Sequence, residues 1–321
     1  MSQTVPPPTS ARPFGAQAVA EAAALIREGW PVAVPTETVY GLAADATNAE
    51  AVARIYAAKG RPSFNPLIVH VPDLAAAERL AVIDAIARRL AGRFWPGPLT
   101  IVAPLRADSG IAGLVTAGLA TVALRVPAHP AMQALLREAG RPLAAPSANA
   151  SGRISPTRAA HVLSSLDGRI PMILDAGPTA VGLESTIVAT APDHLRLLRP
   201  GPIDAAALAA ATGLPVRAGP VDSARPEAPG QLASHYAPAK PLRLNATEAA
   251  PDEWLIGFGP VAGDASLSAS GDVVEAAAHL FEMLHRADAA PPPRIAVAPI
   301  PSTGLGAAIN NRLQRAAAPR D

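Results

Sequence analysis

Short apolar runs recur along the first two-thirds of the chain and alternate with stretches of helical spacing, and this alternation limits the fold more than any other feature. Strand-like runs lie at 31–35, 66–71, 99–105, 121–126, 143–146, 172–175, 185–190 and 195–198. Between many of them the apolar positions repeat with helical period, at 16–28 (closed by Gly29), 48–59, 72–93, 129–139 and 156–166. A chain that keeps switching between these two periods predicts an α/β domain with a sizeable sheet. That domain spans residues 14–212. Residues 213–241, rich in Pro and Gly, read as a linker. A strand at 254–258, a helix at 273–285, a strand at 294–299 and a helix at 305–318 then predict a smaller second α/β domain at 242–321. Residues 1–13 read as a flexible tail. Two domains suit 321 residues, and no repeat of solenoid period is present.

With aromatic residues at 3%, the core has to be built from Ala, Val, Leu and Ile. The chain has no cysteine, which excludes disulfides, thiolate catalysis and cysteine-based metal sites. The N-terminus lacks the basic and apolar regions of a signal peptide, and no apolar run reaches the roughly 18 residues that cross a bilayer, so a cytoplasmic protein without membrane contact is expected. A net charge of +1 argues against broad electrostatic capture of nucleic acid. Any basic surface must therefore be a local pocket. Of the 27 Lys and Arg residues only Lys59 and Lys240 are lysines, so Lys59 either marks a place where the wide arginine fork does not fit or stands there by chance.

Several loops carry candidate chemistry. The helix at 48–59 ends at Gly60, so Lys59 and Arg61 can leave it toward the same side, with Ser63 and Asn65 following. Two cations and hydrogen-bond donors in one loop suit a phosphate chain, or they simply complement the helix dipole. The strand at 143–146 opens into Ser147-Ala-Asn149-Ala-Ser151-Gly152, either a ligand loop at a strand end or a turn closing on its own backbone. Polar residues also end a strand at Pro35-Thr36-Glu37-Thr38-Val-Tyr40-Gly41, and they precede one at Gly182-Leu-Glu184-Ser185-Thr186. Arg125 sits inside an apolar strand and needs an anionic partner, a ligand carboxylate or an internal acid. There is no P-loop, no H-E-x-x-H and no G-x-S-x-G elbow, and the seven histidines show no metal-ligand spacing.

Together these segments resemble the YrdC-type family, in the long two-domain form of the threonylcarbamoyl-AMP synthases. The resemblance is carried by Pro35-Thr-Glu-Thr-Val-Tyr-Gly-Leu42, Ala58-Lys-Gly-Arg-Pro-Ser-Phe-Asn-Pro-Leu-Ile-Val-His70, Phe94-Trp-Pro-Gly-Pro-Leu-Thr100, Leu124-Arg-Val-Pro127, Ala145-Pro-Ser-Ala-Asn149, Ser155-Pro-Thr157, Leu183-Glu-Ser-Thr186 and Arg199-Pro-Gly201. His235-Tyr-Ala-Pro238, Gly304-Leu-Gly-Ala-Ala-Ile309 and Arg312-Leu313 match the long form. The resemblance implies a large twisted mixed-sheet domain with a concave basic cavity, followed by a Rossmann-like C-terminal domain. It implies ATP binding by Lys59, Arg61, Asn65, Thr121, Ser147, Asn149, Ser155, Arg199 and Tyr236, with Lys59 and Arg61 catalytic. L-Threonine would be held by Thr38, His70, Arg125, Ala145 and Ser185. The run Pro229-Gly-Gln-Leu-Ala-Ser-His235 departs from the basic or aromatic residues usual before His-Tyr-Ala-Pro, so from this linker only Tyr236 is carried over.

The implied reaction joins threonine, bicarbonate or CO2, and ATP, with Mg2+ carried on the ATP phosphates and pyrophosphate released. It is the first step of N6-threonylcarbamoyladenosine formation in tRNA. The product would pass to the tRNA threonylcarbamoyl-transfer machinery, with weak or no direct tRNA binding by this chain, and the linker and second domain would act as a lid. Two other readings stay open: an RNA-binding module using the same basic cavity, and a carbamoyl-transfer module for another acceptor. The near-zero net charge argues against the first, and the lack of acylphosphatase-like and zinc-finger segments against the second.

Overall fold

The computed structural model describes residues 8–62, 64–219, 226–230 and 234–319. Ser63, the first seven residues of the expected tail, and 220–225 and 231–233 of the expected linker lie outside the described residues. Among the described residues eleven strands form one mixed sheet, in the order β1 (Ser10–Pro13), β8 (Met172–Asp175), β2 (Val32–Pro35), β3 (Tyr40–Asp45), β7 (Leu143–Ala144), β4 (Ile68–His70), β6 (Thr121–Arg125), β5 (Leu99–Pro104), β9 (Thr186–Thr190), β10 (Leu195–Arg199) and β11 (Val216–Ala218). Four more form a separate, wholly parallel sheet in the order β12 (Leu242–Arg243), β15 (Arg294–Val297), β13 (Glu253–Gly257) and β14 (Ala265–Ser266).

Among the described residues ten helices accompany the sheets: α1 (Ala16–Arg27), α2 (Ala49–Lys59), α3 (Leu74–Leu80), α4 (Ala85–Phe94), α5 (Gly113–Thr116), α6 (Pro130–Ala139), α7 (Ala159–Leu166), α8 (Ala205–Thr212), α9 (Val273–Ala289) and α10 (Leu305–Ala317). Their ends follow from local chemistry. Asn48 caps α2 by accepting from Glu50 N and Ala51 N, and Gly60 ends it in the left-handed region at φ 58°. Ile26, Val32, Val34, Met132, Leu135 and Leu174 pack α1 and α6 on part of the sheet. Val52, Ile55, Leu67, Leu90, Leu99, Ile101, Leu124 and Val162 form the larger cluster with α2, α4 and α7. Each such fully buried aliphatic side chain contributes about 1.5–3 kcal/mol.

The observed elements depart from the sequence reading in several places; α5, α8, β12 and β14 are not anticipated at all. Ser10–Pro13 is an edge strand rather than loose tail, because its backbone pairs in parallel with β8; the prolines that disguise it are tolerated at an edge. Val216–Ala218, inside the expected linker, pairs in parallel with β10. The helix expected over 72–93 is two helices. Ala81 is extended and bridges Leu105, Val82 N bonds Pro104 O at 2.8 Å, and the Asp84 carboxylate starts α4 by accepting from Ala87 N. Finally, the polar turn after β2 is the bend of a hairpin whose second strand, β3, is wholly buried.

The two domains share packing. Val39, Ile154 and Leu183 from the first and Tyr236 from the linker enter the cluster built by Leu280, Phe281, Leu284, Ile309 and Leu313 of the second. His161 of α7 stacks on His285 of α9 with centroids 3.8 Å apart, and Arg158 pairs with Glu282 at 2.7 Å. No helix among the described residues is long and apolar enough to cross a membrane.

Candidate active site

Strand ends and loops from distant parts of the chain meet at one cavity. The parallel pairing of β4 with β6 sets His70 directly opposite Arg125. The segment after β7 continues as a ladder on β3: Leu42 N bonds Pro146 O at 2.7 Å, Ala148 N bonds Tyr40 O at 2.8 Å, and Gly41 bridges Ser147. A Cβ on Gly41 would lie 3.3 Å from that of Ala145, so the close approach favours glycine there. The hairpin bend contributes Thr36 and Thr38, the loop before β9 contributes Glu184 and Ser185, and β10 ends in Arg199.

The linker closes the remaining side with Pro229, Gly230, His235 and Tyr236. It is fastened at both flanks: Ala237 N bonds Gly152 O at 2.8 Å, and His235 N bonds Arg315 O at 3.1 Å. Tyr236 has φ 63°, an uncommon left-handed value for a bulky residue. Its hydroxyl lies where a Cβ on Gly230 would be only 2.7 Å away. The enclosed space is about 50 Å3.

All five residues expected to hold threonine (Thr38, His70, Arg125, Ala145 and Ser185) line this cavity, as do Arg61, Ser147, Arg199 and Tyr236 from the nucleotide set. Lys59 reaches the wall from behind, donating through Nζ to Ser147 O at 2.5 Å and to Asn149 O. The Lys-x-Arg and Ser-x-Asn segments are thus joined by one ammonium group. Asn65 is fully buried beside Arg61, whose Nε donates to Asn65 O at 3.3 Å. Ser155 Oγ donates to Glu184 Oε1. Thr121, half-buried at the start of β6, is not on the cavity wall.

The electrostatics are those of a site for anions. Burial, then the Arg61 charge, pushes Lys59 well below its ordinary value. Burial lowers Arg61 and Arg199 to about 10 each. His70 is pushed down to about 3 by burial and then by Arg125, so its ring is neutral at pH 7. Burial and the surrounding charges of Arg61, Lys59 and Arg199 hold His235 well below 6.5. Among the described residues, several buried polar atoms without a hydrogen-bond partner gather here: both amide atoms of Asn65, both ring nitrogens of His70, Asn149 Oδ1 and His235 Nδ1. Unpaired buried polar atoms are costly, and a ligand is one way to satisfy them.

Two acids answer part of the positive charge. Arg125 Nη2 bonds Glu37 Oε1 at 2.7 Å, Nη1 bonds Thr38 Oγ1 at 3.0 Å, and Nε bonds Gly97 O at 3.1 Å. The anionic partner of Arg125 is thus an internal acid. Burial raises the Glu37 pKa, but the Arg125 charge and hydrogen bonds outweigh it and the net shift is downward. One N–H on each terminal nitrogen of Arg125 remains for a ligand. Glu184 pairs with Arg312 of α10 at 2.9 Å. Sequence reasoning quoted Glu37, Glu184 and Arg312 in motifs without giving them a place in the site. It also missed Thr100, whose Oγ1 is 2.7 Å from Ser185 Oγ. The available signal was that both glutamates lie within polar strand-end motifs of a chain with a buried arginine to satisfy.

The Sua5–YciO–YrdC family profile, described as telomere recombination, matches residues 24–201, and that of the threonylcarbamoyl-AMP synthase C-terminal domain matches 203–318. The threonylcarbamoyl-AMP synthase of Bacillus subtilis is 44% identical over 326 residues, covering 94% of this chain and 93% of its own. That of Pyrococcus abyssi is 40% identical over 319 residues, covering 92% of each. The crystal structure of P. abyssi Sua5 complexed with L-threonine matches with a TM-score of 0.86 at 37% identity, covering 96% of this chain and 97% of that one. E. coli YciO, at 20% identity and a TM-score of 0.53 over 63% of this chain, shares the fold alone. With a YrdC-type domain and a Sua5 C-terminal domain matched in sequence and the arrangement matched in space, the chain belongs to the two-domain threonylcarbamoyl-AMP synthase family.

Proposed function

We propose that this chain makes L-threonylcarbamoyl-AMP from L-threonine, bicarbonate or CO2, and ATP, releasing pyrophosphate. The threonine amine condenses with bicarbonate to a carbamate and water, or adds to CO2 with loss of a proton. A carbamate oxygen bonds to the α-phosphorus of ATP as the bond to the bridging oxygen breaks, and pyrophosphate leaves. The nucleophile belongs to the substrate, so the protein's task is to bring two anions together and disperse charge in a dry site. The observation that carries this reading is a set of buried cations, Lys59, Arg61 and Arg199, around a cavity with unsatisfied polar atoms.

In this reading Arg61 and Arg199 take the phosphates, helped by Asn65, Ser147, Asn149 and Ser155, while Lys59 keeps the Ser147–Asn149 loop in place and brings its charge alongside; Thr121, expected among the nucleotide residues, lies off the wall and takes no part. The two unused N–H groups of Arg125 meet the threonine carboxylate. The neutral His70 ring and Thr38 offer hydrogen bonds to the threonine hydroxyl, and Ala145 and Ser185 complete that pocket. Among the described residues no group of three or more His, Asp or Glu side chains could hold a metal ion. Magnesium, in this reading, comes with the ATP and neutralises phosphate charge there.

A space of about 50 Å3 is too small for a nucleotide, so the linker with Tyr236 lifts to admit substrates and reseats to exclude water from the mixed anhydride. The product is a labile acyl phosphate and passes to a tRNA threonylcarbamoyl-transfer system, with weak or no tRNA binding by this chain. The test is pyrophosphate release from ATP that depends on both threonine and bicarbonate. Lys59→Ala and Arg61→Ala should each abolish it, and full activity in both variants would remove the site assignment.

A further inference from the structure

Arg312 belongs to the second domain, yet its fully buried side chain ends against the cavity wall of the first. Nε donates to Glu184 Oε2 at 2.9 Å, Nη1 to Pro200 O at 2.7 Å and Nη2 to Glu184 O at 3.4 Å, and the guanidinium lies 5.4 Å from the Tyr236 ring centroid. The other carboxylate oxygen of Glu184 accepts from Ser155 Oγ. Both oxygens of Glu184 are therefore engaged. Among the described residues this is the carboxylate that lines the cavity.

A loose carboxylate in that position would harm an anion site in two ways: it would repel phosphate, and it would seek the nearest available cation. Arg199 is a cation within its electrostatic reach, with Nε and Nη2 resting at 3.0 Å on the backbone oxygen and hydroxyl of Ser185, the residue after Glu184. The loop carrying both has little room to shift. A Cβ on Gly201 would come within 2.5 Å of Thr186 N, and one on Gly182 within 2.5 Å of Ala277 O in α9. A freed Glu184 would therefore turn its side chain rather than carry its backbone away.

We propose that Arg312 is a positioning residue for the nucleotide subsite: by holding Glu184 it keeps that carboxylate off Arg199 and leaves Arg199 for the phosphates. The anion site of the first domain thus depends on an arginine of the second. This rests on the ATP reading above. A merely structural Arg312 would, on removal, lower the melting temperature while leaving substrate affinities of the folded fraction unchanged, with or without Glu184 neutralised. A positioning Arg312 predicts suppression. Arg312→Met should weaken ATP affinity about tenfold or more, with a much smaller change in the KM for threonine. Adding Glu184→Gln should restore ATP affinity to within about threefold of the parent.

The experiment uses full-length parent, Arg312→Met, Arg312→Lys and each combined with Glu184→Gln. ATP binding is measured by calorimetric titration, the KM for ATP and for threonine by pyrophosphate release, and melting temperature alongside. Parent protein that binds no ATP would overturn the functional reading and the inference resting on it. Parent protein that binds ATP, an Arg312→Met that binds about as well, or a double variant no better than the single one, would overturn the inference alone. Loss in the single variant and recovery in the double supports it. Should Arg312→Met not fold, the same comparison between Arg312→Lys and its Glu184→Gln partner decides.

Discussion

His70 ties stability to the site at the scale of one residue. Its ring is 2% exposed, neither nitrogen has a hydrogen-bond partner among the described residues, and its pKa is held at about 3. An unfolded histidine takes up a proton near pH 6.5, whereas this one stays neutral, so between pH 6.5 and 3 the unfolded chain binds more protons. Stability contributed by the neutral ring is present above pH 6.5 and is lost as pH falls. At pH 4.5 the deficit reaches roughly 3 kcal/mol. Urea unfolding at pH 7.5 and 4.5 checks this: His70→Asn should shrink the difference in stability by the share this ring contributes, the other buried histidines keeping theirs, and an unchanged pH slope would refute it. The same residue scale is where sequence reasoning stopped short. An arginine in an apolar strand announced a buried partner, but the choice of Glu37 over a ligand depends on the hairpin bend reaching β6, a contact that spacing along the chain does not encode.

Among the elements, α7 and α9 form a joint that is sensitive to acid. His161 and His285 stack there, with Glu282, Arg158 and Asp288 as the neighbouring charges. Burial and then the neighbouring His285 lower His161 to about 4, and burial lowers His285. Both rings are neutral when packed, so protonation favours separation, and the stabilising contact is lost as pH drops below the unfolded histidine value. Hydrogen exchange at pH 5 should show α7 and α9 losing protection before β4, β5 and β6; equal loss everywhere would contradict it. Elements with a strong period were legible from sequence, α1, β8 and α9 among them. The break between α3 and α4 was not, because Ala81 and Val82 carry no helix-stopping chemistry and are drawn out by pairing with the end of β5. The hidden strand β3 has the same explanation: its Tyr-Gly-Leu-Ala-Ala-Asp sequence is buried on both faces, so it lacks the alternation that marks a half-exposed strand.

At the scale of the whole molecule, the linker's closure turns on one glycine. Gly230 has φ 85°, and a Cβ there would press within 2.7 Å of the Tyr236 hydroxyl and 3.0 Å of Arg199 Cδ. Gly230→Ala should leave the fold of both domains intact while preventing the linker from seating. The expected readout is continued pyrophosphate release with less intact threonylcarbamoyl-AMP per pyrophosphate, because water reaches the anhydride. An unchanged ratio would show that the linker does not shield the product.

Ser10–Pro13 also bears on how the protein can be handled in the laboratory. This short stretch covers the outer side of β8, whose Met172, Ile173 and Leu174 are apolar. A shortened version starting at Phe14 would bare that ladder to other copies and invite edge-to-edge aggregation during expression. A purification handle joined by a spacer ahead of Pro8 leaves the outermost strand free to dock.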